Sequence, residues 1–375
     1  MIDHTEYAQN RTPISHRHAG IDFLRAVAIL WVMAYHLDGS DLRLPAWTHH
    51  GWMGVDLFFV LSGYLIGLQV LRPYGAGRQP DWGLFFQRRA WRILPAYLAV
   101  LALYLAVPAW RESDAMAPLW QFLTFTTNLL PDYARQRAFS HAWSLCVEEH
   151  FYLLLPAVVW LLARAPDARR VAGCAVLLLI GGIVLRGWAW YDAVAPAIAA
   201  GGDGVLAYVE RIYNPTWNRL DGLWMGVVLA SVRVFRGRWW TALMARGWLL
   251  LLFGALGMAA SLALDFTSAA GAMLGFPLLS ASLACLLGAV LSDAMTHWRW
   301  PGARAVATLA YCLYLTNKQV FYWVDAHADL DAMPALALKL LAAFVVAGVL
   351  HLLVERPGLA RGVQVSHRRQ LPVHF

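Results

Sequence analysis

Apolar runs long enough to cross a lipid bilayer recur along nearly the whole chain, and this restricts the fold more than any motif. A helical span needs about 20 apolar residues. Such runs stand near 21–38, 52–71, 91–110, 143–163, 171–190, 219–233, 247–264, 271–292, 305–324 and 334–354. They predict an all-α polytopic membrane bundle of about ten transmembrane helices. The run 119–130 is too short to cross and leads into Pro131, so it reads as an interfacial or re-entrant helix. The run 219–233 is also short, as a tilted or locally immersed helix would be. Of the 375 residues, 60% are hydrophobic and 14% charged. Soluble domains sit at roughly half and a quarter. Disorder and a nucleic-acid-binding role are therefore excluded. The net charge of +7 is assigned to loops instead.

Loop charges orient the chain. With Arg11 and Arg17 inside, the same side receives Arg72, Arg78, Arg88, Arg89 and Arg92, then Arg164, Arg169 and Arg170. Arg233, Arg236, Arg238 and Arg246 follow, then Arg299 and Arg304, and finally Arg356, Arg361, Arg368 and Arg369. The opposite links carry acids, among them Asp38, Asp41, Glu112, Asp203 and Asp329. Roughly 20 basic residues fall inside and about five outside, so both termini are expected to be cytoplasmic. The first run holds Arg25, and no small-x-small site follows it before Tyr35 and His36. It reads as an uncleaved span. Residues 1–20 then form a cytoplasmic segment, 21–358 one transmembrane domain and 359–375 a basic tail. Cys146, Cys174, Cys285 and Cys312 have neither metal-ligand spacing nor a disulfide framework, so no metal is expected.

Ionisable groups in a bilayer core are costly and mark function. Arg25 and His36 are eleven residues apart, about 1100° of helical rotation, so they share a face about 16 Å apart along the axis. The structural alternative has Arg25 snorkelling and His36 at the interface. In GWMGVDLFFVLSGYLIG, the residues Gly51, Gly54, Ser62, Gly63 and Gly67 allow close helix approach, and Asp56 needs a partner or a wet cavity. In HAWSLCVEEHFYLLLP, Ser144 is a candidate N-cap, and Glu148 or Glu149 can orient an imidazole. Arg219 and Asp221 begin another run, with a local ion pair as the structural alternative. Tyr311, Tyr314, Asn317 and Lys318 lie in the outer half of the ninth. With the charge-derived orientation, His36, Asp56, Ser144, Glu148, Glu149, Arg219, Asp221, Asn317 and Lys318 converge on one polar outer cavity. Arg25, Arg88, Arg89 and Arg92 gather at the inner side. There Arg88 and Arg92 share a helix face suited to phosphate groups or lipid headgroups.

These residues resemble the integral-membrane acyltransferase-3 family. The likeness rests on the Arg-x10-His pair Arg25 and His36, and on the GVDLFFVLSGYLIG, RRAWRILPAYL, WSLCVEEHFYLLLP, RLDGLWMG and VERP runs, in that order over about residues 20–358. The resemblance implies about ten spans and transfer of an acyl group, usually acetyl, from cytoplasmic acyl-CoA to a hydroxyl. Typical acceptors are extracytoplasmic or membrane-linked glycans. It implies His36 as catalytic base, Arg25 as its motif partner and Glu148 with Glu149 as the acidic motif. Ser62, Gly63, Arg88, Arg89, Arg92, Asp221, Tyr314, Glu355, Arg356 and Pro357 fit lesser motif positions. The sequence departs from the family at Asn317, where members often have His, and Asn does not titrate near neutrality. The chain ends soon after VERP, so no appended hydrolase-like domain is expected.

The resulting expectation is an O-acyltransferase of a bacterial inner membrane, contacting acyl-CoA, a hydroxyl acceptor and membrane lipid, with a homo-oligomer left open. Arg88, Arg89, Arg92 and Ser62 would bind acetyl-CoA, the donor. His36 would deprotonate the acceptor, oriented by Glu148 or Glu149. Asn317, Lys318 or Arg219 would stabilise the oxyanion, with Asp56, Ser144, Asp221 and Tyr314 completing the acceptor site. A covalent acyl intermediate on Ser62, Ser144 or His36 stays open. Loops 111–142 and 191–218 would choose the acceptor. The competing class is a proton-coupled transporter or glycan flippase using the same buried groups.

Overall fold

The computed structural model describes residues 18–37, 44–162, 168–295 and 300–370. The charges expected to orient the chain at Arg11, Arg17, Asp38, Asp41, Arg164 and Arg299 lie outside the described residues, as do residues 371–375 and the Arg368 and Arg369 side chains.

Helices stand at all ten predicted positions. They are α1 (Ala19–His36), α2 (Met53–Gly75), α3 (Trp82–Ala106), α4 (Trp143–Leu162), α5 (Ala168–Ala189), α6 (Asp221–Phe235), α7 (Gly247–Ala263), α8 (Ala269–Leu291), α9 (Ala303–His327) and α10 (Ala332–Leu350). A further helix, α11 (Arg356–Gln370), packs back on α3. No strand occurs among the described residues. Seven of the described helical segments are long and apolar enough to cross a membrane, or eight if the pair Gly237–Met244 and Gly247–Ala263, bent by 76°, is one span. The protein is a multi-pass integral membrane protein. Three helices fail that test alone for visible reasons. α6 has 15 residues, α7 has 17, and α9 carries the polar run Asn317, Lys318 and Gln319 at its middle, which lowers its mean hydropathy.

α2 is the most deeply buried of the seven and lies against α1 and α6. A Cβ on Gly63 would fall on the Leu223 carbonyl, and one on Gly226 on that of Val60. α2 and α6 therefore touch backbone to backbone, which their glycines permit. α1 also packs along α9, and this contact brings His36 to Asn317. α10 presents Leu341, Val345 and Val349 outward, one apolar stripe suited to lipid.

Two buried ion pairs hold α6 in place. Arg219 donates to both oxygens of Asp56 at 2.8 and 2.9 Å, and Arg186 of α5 meets Asp221 at 2.7 Å. The Arg219 guanidinium also lies 4.3 Å from the Tyr213 ring centre and 4.1 Å from that of Phe276. The local Arg219–Asp221 pair is thus replaced by two longer-range pairs: Arg219, ahead of the helix, turns to Asp56, and Asp221, the first residue of α6, meets Arg186. In the segment 119–130 only Leu119–Leu123 is helical and the rest turns. Asn128 is fully buried there and donates to the Asn214 carbonyl and the Thr216 hydroxyl.

Candidate active site

Two cavities formed by the described residues hold the candidate groups. The larger, about 590 Å³, is lined by His36 and Tyr35 of α1, Trp52 and Val55 at the start of α2, Tyr314 and Lys318 of α9, and loop residues that include Tyr133, Ser140 and His141. The smaller, about 360 Å³, is lined by Arg25, Ser62, Arg89, Arg92, Glu148 and Tyr152, and again by Val55 and Tyr314. Both volumes suit a small-molecule pocket. α1 serves both, with His36 at one cavity and Arg25 at the other, as their shared face predicts.

His36 has a defined tautomer. Its Nδ1 lies 2.5 Å from Asn317 Oδ1. The Asn317 amide is oriented by its own donations from Nδ2 to the Leu313 carbonyl at 2.6 Å and the Tyr314 carbonyl at 3.3 Å. Its oxygen therefore faces the ring and accepts the Nδ1 proton. The neutral imidazole then carries its lone pair on Nε2, the form a general base requires. Glu148, expected to orient His36, is engaged elsewhere. It accepts from Ser62 Oγ at 3.1 Å and from the Tyr152 hydroxyl at 2.6 Å, inside the smaller cavity. Glu149 lines neither cavity.

A loop completes the larger cavity. Phe139 has φ 58°, a left-handed conformation that costs a non-glycine residue about 1–3 kcal/mol. Its surroundings hold it there. Its N–H donates to Glu112 at 3.0 Å, and its ring stacks on Tyr104, Tyr97 and Phe122. The same Glu112 accepts from Tyr104 and pairs with Lys318, which donates to Ser140. This places His141 with its ring centre 6.2 Å from that of His36. His141 Nε2 donates to the Leu315 carbonyl at 3.3 Å, and its buried Nδ1 has no hydrogen-bond partner. Desolvation pushes the Tyr133 hydroxyl in this loop above its ordinary pKa, so it stays protonated.

The structure regroups the residues singled out in the sequence. Arg89 and Arg92, not Arg88 and Arg92, face the smaller cavity, and Arg88 is exposed and lines neither. Arg89 donates to Gln69 and keeps a buried, unpartnered Nε. Ser144 caps no helix. Its hydroxyl meets the Tyr314 hydroxyl at 2.5 Å, and Tyr314 also donates to the His141 carbonyl at 2.8 Å. Asp56, Arg219 and Asp221 line neither cavity and are consumed in the two ion pairs. Glu355 lies apart, accepting from Cys312 and His351. The three donor atoms of this group lie within 4.8 Å of one another, brought together from two chain regions whose spacing carried no metal pattern.

His141, Glu112 and Arg186 were not among the candidates. Arg186 stands in an apolar run, the same signal that exposed Arg25, and could have been read. Glu112 looked like one of several loop acids. His141 opens the quoted HAWSLCVEEHFYLLLP run, yet nothing local separated it from an ordinary histidine.

Comparison with known proteins now bears on this geometry. The sequence model of a family described as an acyltransferase domain, acyltransferase-3, matches residues 18–354. The chain belongs to this acyltransferase family. The enzyme class follows, and the transporter alternative gives way to it. The chain is 32% identical over 228 residues to YrhL of Bacillus subtilis (strain 168), a match covering 57% of the chain and 33% of the relative. It is 29% identical over 226 residues to the O-acetyltransferase OatA of Staphylococcus aureus (strain NCTC 8325 / PS 47), covering 57% and 34%. It is 28% identical over 244 residues to the peptidoglycan O-acetyltransferase OatA of Listeria monocytogenes (strain EGD-e), covering 62% and 35%. These matches span about a third of each relative's length. No solved structure matches.

Proposed function

We propose that this acyltransferase moves an acetyl group from acetyl-CoA, held in the arginine cavity, to a hydroxyl of a cell-envelope glycan held in the His36 cavity. The observation that carries this reading is the pair of cavities meeting at Val55 and Tyr314, with His36 presenting Nε2 on one side and arginines on the other. The Listeria relative named a peptidoglycan O-acetyltransferase, and the Bacillus relative named for the same activity, support acetyl and a glycan. Arg25, Arg89 and Arg92 suit the phosphates of the donor. His36 Nε2 takes the proton of the acceptor hydroxyl as its oxygen attacks the thioester carbonyl. The C–S bond then breaks, and the imidazolium returns the proton to the departing thiolate. Of the three groups expected to stabilise the oxyanion, Asn317 donates to helix carbonyls and Arg219 to Asp56. Lys318, which lines the cavity, takes that role. Ser62, Ser144 and Glu148 shape the donor side.

The reading includes ten crossings of a bacterial inner membrane with both termini cytoplasmic, which the loop charges support. α6 and α9 can cross despite length and charge because Asp221 on α6 and Asn317 and Gln319 on α9 are buried against protein, while the exposed Arg304 and Asp325 stand near the two ends of α9. The test is acetyl transfer from labelled acetyl-CoA to glycan in proteoliposomes. His36→Ala should abolish transfer while the thermal unfolding midpoint is kept, and full activity in that variant refutes the reading.

A further inference from the structure

We propose that Val55 and Tyr314 form the constriction that limits the length of the acyl group this enzyme transfers. The inference rests on the two-cavity reading above and adds a selectivity to it. Val55 and Tyr314 are the two residues that line both cavities. A donor lodged by its phosphates in the arginine cavity presents its acyl end to this shared wall. The thioester carbonyl must come to roughly 3–3.5 Å from the hydroxyl activated by His36. The acyl carbons beyond that carbonyl then lie between Val55 and Tyr314 or in the space the acceptor needs.

The wall is held from both sides. Tyr314 is fastened through its hydroxyl to Ser144 and the His141 carbonyl. Val55 precedes Asp56, which Arg219 grips with two hydrogen bonds. The Asp56–Arg219 pair that holds α6 thereby also holds the helix turn that carries Val55. With the Tyr314 ring anchored and the helix turn of Val55 held, the wall resists widening, so each added methylene meets it sterically. Discrimination of about 10–200-fold per methylene is the usual scale for such a site.

The experiment measures kcat/KM for acetyl-CoA, propionyl-CoA and butyryl-CoA in wild-type, Val55→Ala and Val55→Ile proteoliposomes, with thermal midpoints recorded for each. Val55→Ala should raise the butyryl-to-acetyl ratio at least about tenfold, and Val55→Ile should lower the propionyl-to-acetyl ratio by a similar factor. Tyr314→Phe, which keeps the ring and frees it from its anchors, should shift the ratio in the direction of Val55→Ala. Ratios at the wild-type value in folded Val55→Ala and Val55→Ile, with acetyl transfer proceeding, overturn the proposal alone. Absence of transfer from any acyl-CoA in the wild type overturns the donor reading beneath it as well.

Discussion

Asn317 offers the sharpest test of how this site works. Its geometry gives it a definite task. Its oxygen accepts from His36 Nδ1, and its amide nitrogen is committed to the Leu313 and Tyr314 carbonyls. Asn317→Leu keeps the approximate shape and removes the acceptor. His36 Nδ1–H is then buried without a partner, at a cost of about 1–3 kcal/mol, and the ring can turn or change tautomer to escape it. At 1.36 kcal/mol per tenfold, kcat should fall by about 5- to 150-fold, with little change in the KM of either substrate. Asn317→Asp restores an oxygen opposite Nδ1 and should recover most of the loss. Where its carboxyl ionises, the charge stabilises the imidazolium, so the acid limb of the pH–rate profile moves to higher pH. The assay is single-turnover acetyl transfer across a pH series, with unfolding midpoints as a control. If Asn317 instead donated to the oxyanion, Asn317→Asp would lose as much as Asn317→Leu. That equality, or a wild-type rate in Asn317→Leu, refutes the assignment.

Other consequences follow from the packing. Asp56→Ala leaves Arg219 buried and unpaired and should cost about 3–5 kcal/mol, read as a lowered thermal midpoint in detergent. Gly63→Ala should part α2 from α6, because its Cβ would meet the Leu223 carbonyl, and should abolish the folded fraction on size-exclusion chromatography. Glu112→Gln keeps a hydrogen-bonding group at Phe139 but removes the charge that positions Lys318, so kcat should fall several-fold while donor KM holds. Arg89→Ala and Arg92→Ala should each raise the KM for acetyl-CoA about tenfold, more steeply at low salt, in initial-rate measurements.

Much of this site is legible in the sequence because helical geometry is local. The eleven-residue spacing of Arg25 and His36 sets their shared face on α1, and the structure finds one at each cavity. The same reasoning marked Arg89 and Arg92 within α3 but preferred Arg88, since a face can be read from spacing and the side that meets protein cannot. Partners were harder. His36 and Asn317 are 281 residues apart, and Asp56 and Arg219 are 163 apart. Glu148 was an equally reasonable partner for an imidazole until Ser62 and Tyr152 were seen to hold it.

The sequence by itself determined the solvent, the positions of the ten helices and the short list of ionisable groups stranded among apolar residues. These depend on transfer free energy and a 3.6-residue period, both readable along one strand of chain. Only the tertiary structure decided which of those groups pair as ions, which orient His36 and which line a cavity. A hydrogen bond demands a partner within about 3 Å, and helix neighbours are chosen by packing, such as the glycine contact of α2 with α6 and the seam of α1 with α9.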